Sequence, residues 1–180
     1  MVGRAHIQPK GSPMRLIVCF VLLLAGCAPA APVGSSAPAS LKSAAGEVKS
    51  WGATLRRWTV DEAGRVEHVS GEKVGGNRTD IMIETRRTTL SRAQQDALAA
   101  AIGKVEAVLH TPEHCDQMLT DGPYGTLQWD RGDGVNKLPF NGNCVRGRDY
   151  DLVSAIFAAD QIVDDAAKAT DPVERHPLQQ

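Results

Sequence analysis

The chain has 180 residues, of which 42% are hydrophobic, 23% charged and 4% aromatic, with 20 basic against 21 acidic side chains. That length fits one domain, and the charged fraction argues against a wholly disordered chain. A net charge of -1 argues against nucleic-acid binding through bulk positive charge, and no apolar run reaches the roughly 20 residues that a membrane-spanning helix needs.

The first organised segment is Leu16 to Leu24, a short apolar core. Arg4, Lys10 and Arg15 precede it, and no acid occurs before Glu47. A basic start, a short apolar core and small residues at its end make a secretory signal. The core ends in Leu24-Ala25-Gly26-Cys27, which resembles the lipobox of bacterial lipoproteins. The resemblance implies cleavage before Cys27, lipid on Cys27, and a periplasm-facing position. Ala28, where an aspartate would favour the inner membrane, implies the outer one. Met14-Arg15 begins a complete signal by itself, so Met14 is a candidate true start. Residues 1–26 are excluded from the fold as signal. They hold 3 basic residues and no acids, so removing them takes the net charge from -1 to -4.

Residues 27–46 read as the lipidated cysteine and a tether rich in Ala, Ser and Pro. Such a composition buries too little apolar surface to offset its ordering entropy, and as a flexible linker it would span about 25 Å. The single domain is placed at 47–169. The tail 170–180, with Pro172 and Pro177, is expected to fray.

Within the domain, 51–60 and 65–70 read as two strands joined by an Asp61–Gly64 turn. Gly71 to Asn77 reads as a glycine-rich loop. Residues 79–87 alternate weakly and give a third strand. Ser91 and Gln94 form a capping box for a helix carrying Leu98, Ala101, Ile102, Val105, Val108 and Leu109. Pro112 ends that helix near His110. Residues 124–129 and 135–140 flank Asp130–Gly134 as a hairpin, with Leu127, Trp129, Leu138 and Phe140 toward the core. Asp149 caps a last helix with Leu152, Val153, Ile156, Phe157 and Val163 inside. The order β-β-β-α-β-β-α predicts an α+β fold: an antiparallel five-stranded sheet with two helices on one face.

Of the four cysteines, Cys19 leaves with the signal and Cys27 takes lipid. Cys115 and Cys144 are left in a compartment that permits disulfides, and are predicted to pair. His110 and His114 lie near them, but Pro112 breaks a helical histidine pair, so no metal site is assigned. Ser70-Gly71-Glu72-Lys73 matches S-x-x-K, yet the flanking glycines favour a loop over the helix that chemistry needs. Asp164-Asp165 read as a solvated helix face. Asn77-Arg78-Thr79 is a sequon without force in a bacterial lipoprotein.

Arg56-Arg57 and Arg86-Arg87 each put one arginine on either face of a strand. On an open sheet face, Arg57 and Arg87 would receive an anionic partner. The segment Asp121–Trp129, with Tyr124 and Trp129, and the hairpin tip with Arg131 complete the candidate binding residues. No catalytic residue and no cofactor is assigned. The expected function is a non-enzymatic, lipid-anchored binding or assembly module of the cell envelope with a protein partner. The alternatives are an inhibitor of a periplasmic protease or lysozyme, presenting its hairpin tip, and a small metal-dependent enzyme.

Overall fold

A computed structural model of the chain describes residues 40–73 and 81–178. The segment 1–26 read as a signal, Cys27 and the Asn77 sequon lie outside the described residues. The fold is α+β. Its strands are β1 (Ser43–Ser50), β2 (Ala53–Val60), β3 (Arg65–Lys73), β4 (Ile81–Thr89), β5 (Gln117–Met118), β6 (Tyr124–Asp130), β7 (Val135–Asn141), β8 (Cys144–Arg146) and β9 (Glu174–Pro177). Helix α1 (Arg92–Leu109) follows β4, and α2 (Arg148–Lys168) follows β8. The main sheet is antiparallel and seven-stranded, in the order β7-β6-β1-β2-β3-β4-β9, and β5 pairs with β8 apart from it. The predicted five strands and their order are thereby corrected.

The largest difference is β1. It begins at Ser43, inside the segment read as tether, and lies near the centre of the sheet between β6 and β2. Its Ala and Gly content looks like linker but serves packing. Gly46 stands opposite Trp58, and a Cβ there would come within 2.5 Å of the indole. Ala44 stands opposite Trp129. The two indoles, 2% and 4% exposed, supply the bulk that β1 omits. A glycine covered by a cross-strand aromatic ring is a known sheet device. The second difference is β9, which adds four residues of the expected loose tail to the β4 edge. Both outer strands carry prolines, Pro139 and Pro177, which discourages further strand addition. The third is Gly71–Lys73, which extend β3 rather than opening a loop.

Alternation then sorts the sheet into two faces. Ala44, Val48, Trp58, Val60, Val66, Leu127, Trp129 and Phe140 point into one core with both helices. Helix α1 contributes Leu98, Ala101, Ile102 and Val105, and begins as expected. Ser91 Oγ accepts from Gln94 N at 3.3 Å, and Gln94 Oε1 accepts from Ser91 N at 2.9 Å. Helix α2 differs at its start: its N-cap is Gly147, not Asp149. Gly147 has φ 101°, and a Cβ there would press on the His114 carbonyl, so glycine is required. Asp149 and Asp151 sit in the first turn instead, where they complement the helix dipole. Among the described residues, no helix is long and apolar enough to cross a membrane.

Candidate functional site

Both helices cover the same face of the sheet, which among the described residues leaves the other face open. Its side chains follow from the register. One row across β7, β6, β1, β2, β3 and β4 reads Lys137, Gln128, Ala45, Thr59, Glu67 and Arg87. The next reads Pro139, Thr126, Glu47, Arg57, Val69 and Thr85. Because β1 is small here, the face is hollowed along its middle. One trough of about 520 Å³ is lined by Ser43, Ala45, Thr59, Arg65, Glu67 and Arg87, among others. A second, about 250 Å³, shares Ala45, Thr59, Glu67 and Gln128 with it and adds Glu47, Arg57, Thr126 and Lys137.

The charges on this face are unevenly matched. Asp61 holds Arg65 Nε at 2.6 Å. The Arg65 backbone N–H and side chain hold its carboxyl below the usual carboxylate range. Glu67 pairs with Arg87 at 3.1 Å and Glu47 with Lys49 at 3.0 Å. Every carboxylate of the trough thus has its own cation. Arg57 and Lys137 line the trough, and among the described residues neither has an ion pair. The sheet face therefore carries surplus positive charge in a chain that is net acidic.

The other arginine of each pair, Arg56 and Arg86, points to the opposite face and enters a buried polar seam beneath α2. Asp160, 2% exposed, accepts from Trp58 Nε1 at 2.9 Å and pairs with Arg56. His68 is wholly buried, its Nε2 3.1 Å from Asp164 Oδ1. The two atoms approach off-line for a straight hydrogen bond. Lys168 Nζ lies 2.9 Å from the other Asp164 oxygen. Burial opposes ionisation of Asp164, but the contacts with His68 and Lys168 and the charge of Arg56 outweigh it and hold its pKa at about 2. Farther along, Arg86 pairs with Glu84, which also holds Arg175 Nε at 2.7 Å. Asp164 is therefore not on a solvated face. His68 and Ser70 share this covered side of β3, 0% and 5% exposed, so their closeness makes no accessible hydrolytic pair.

The remaining candidate residues separate. Tyr124 is exposed on the open face, and its hydroxyl accepts from Gly52 N at 3.1 Å. Trp129 is in the core, where it donates to Glu106 Oε1 at 2.7 Å, and it meets the open face only as part of the lining of the larger trough. Arg131 folds back onto α1, with Nε 2.8 Å from Glu106 and Nη2 3.1 Å from the Ala99 carbonyl. It is thus drawn away from the hairpin tip. Cys115 and Cys144 stand at disulfide distance, 2.12 Å between sulfurs and 5.8 Å between Cα atoms. They tie the loop after α1 to the strand before α2. His114 pairs with Asp116 at 2.5 Å, and His110 is the C-cap of α1.

Sequence reasoning overlooked Lys137 and the seam. Lys137 became notable only when the strand order placed β7 beside the trough. The seam had a local signal: Asp160 and Asp164 fall in phase with Ile156 and Val163 on the apolar stripe of α2, where a carboxylate is costly unless paired. No protein-family model, no characterised protein and no solved structure matches this chain.

Proposed function

We propose that this protein is a lipid-anchored binding module of the bacterial cell envelope, held by Cys27 at the periplasmic side of the outer membrane, which receives an anionic segment of a protein partner on its open sheet face. It binds and does not turn over a substrate. The observation that carries the reading is the pair Arg57 and Lys137, lining one trough whose carboxylates are already matched. Thr59, Thr126 and Gln128 between them supply neutral hydrogen-bonding groups. A partner carboxylate there meets a positive site without having to displace an existing ion pair, and complementary charge gives register and encounter rate. The hydrolase-inhibitor reading has less support, since Arg131 is drawn back onto α1.

The test is an NMR titration of the purified chain with a hexaglutamate peptide at low salt. Amide shifts concentrated in β1, β2, β6 and β7 support the reading. The double change Arg57→Glu, Lys137→Glu should weaken binding at least tenfold, about 1.4 kcal/mol. Shifts confined to the helices, or binding indifferent to both changes, would refute it.

A further inference from the structure

The β1–β2 hairpin ends in a turn that its sequence does not favour. Ser50 pairs with Ala53, leaving Trp51 and Gly52 as a two-residue loop. Both have positive φ, 51° and 80°, as a type I′ turn requires. Asn-Gly is the sequence that suits it, and a bulky residue at positive φ is an outlier. Trp51 is also 81% exposed, whereas the other two tryptophans are buried. Single exposed apolar residues are ordinary, but this one has company. Leu55 is 44% exposed, beside a register shift that leaves it without a partner in β1. Tyr124, 39% exposed, is fixed to the same turn through Gly52 N. Bulges commonly re-aim side chains at functional edges. A strained turn, a bulge and three exposed apolar side chains thus coincide at one end of the sheet, and nothing within the described residues covers them.

We infer that this tip is a membrane contact: Trp51, with Leu55 and Tyr124 beside it, enters the headgroup layer of the bilayer that holds the lipid anchor. Tryptophan and tyrosine suit that layer because each joins an apolar body to a polar tip. The inference rests on the proposed anchor at Cys27. The reach is sufficient. About 15 residues separate Cys27 from β1, and extended they cover roughly 50 Å. The tip lies one strand length, roughly 27 Å, from where the chain enters β1. The length of chain therefore permits the tip to reach the surface that holds the lipid. The contact also sets orientation: with the hairpin tip down, the sheet stands on end and the trough opens sideways into the periplasm.

The experiment uses the full lipidated chain reconstituted into phosphatidylethanolamine–phosphatidylglycerol vesicles with brominated acyl chains, which quench only fluorophores in contact with lipid. Flotation is measured in the same samples. The expected result is co-flotation with loss of the long-wavelength emission that Trp51 contributes, and no such loss for Trp51→Phe, whose folding is checked by circular dichroism. A chain that floats with Trp51 emission unquenched and open to aqueous iodide overturns this inference alone and gives the tip to a protein or glycan partner. A chain that does not float overturns the anchor and this inference with it.

Discussion

Asp164→Asn removes the charge at the centre of the seam while keeping the side chain's shape. In the folded protein the carboxyl titrates at about 2, against an ordinary value of 3.8. A depressed folded-state pKa contributes stability that is fully present above the unfolded value and lost as pH falls through the folded value. At about 1.4 kcal/mol per pH unit, the charge contributes about 2 kcal/mol at pH 5 and under about 1 kcal/mol at pH 2.5. The asparagine variant lacks this term at every pH. Urea unfolding of both proteins across pH 5 to 2.5, read by circular dichroism, gives the difference directly. The stability gap should narrow to less than half of its pH 5 value. A gap that stays constant over that range would mean that shape or packing, not the ionised carboxylate, docks this end of α2 onto the sheet.

Three further outcomes follow from the geometry. Replacing Cys115 and Cys144 by serine opens a loop with a sequence separation of 29 residues and should lower stability by about 3.5 kcal/mol, read as a fall in melting temperature that matches reduction of the wild-type chain. Gly125→Ala sets a Cβ 1.8 Å from the Glu47 carbonyl oxygen and beside the Phe140 ring; because backbone must move, it should cost at least about 3 kcal/mol, the upper end for overpacking, and weaken amide-exchange protection along β1 and β6 first. Trp51→Asn supplies the residue the turn favours and should raise the unfolding midpoint by the equivalent of about 1 kcal/mol, so an unchanged or lower midpoint would contradict the assigned strain.

How far the sequence was legible depended on whether the deciding partner was local. The capping box at Ser91 and Gln94, the hairpin around Asp130–Gly134 and the stop near His110 are governed by neighbours within a few residues, and the structure has them all. The pairing of Cys115 with Cys144 follows from counting thiols in a chain read as exported, and the two sulfurs stand together. Strand β1 was illegible because its small residues take their meaning from Trp58 and Trp129, which arrive on neighbouring strands. Strand β9 was illegible because four exposed residues gain a strand only from the β4 edge beside them. Asp164 looked solvated because the groups that match it from the sheet, His68 and Arg56, lie about a hundred positions away. On the open face, Arg57 and Arg87 fell where strand alternation put them. Lys137 and the trough required the strand order.

The most direct test of the central claim is site-specific photo-cross-linking in intact cells. Benzoylphenylalanine would be placed at Thr59 on the open face and, for comparison, at Gln161 on the exposed side of α2. The account predicts one discrete adduct with an acidic envelope protein from Thr59, lost when Arg57 and Lys137 are changed to glutamate, and none from Gln161. The same adduct from Gln161, or an adduct from Thr59 that survives both charge reversals, would contradict it.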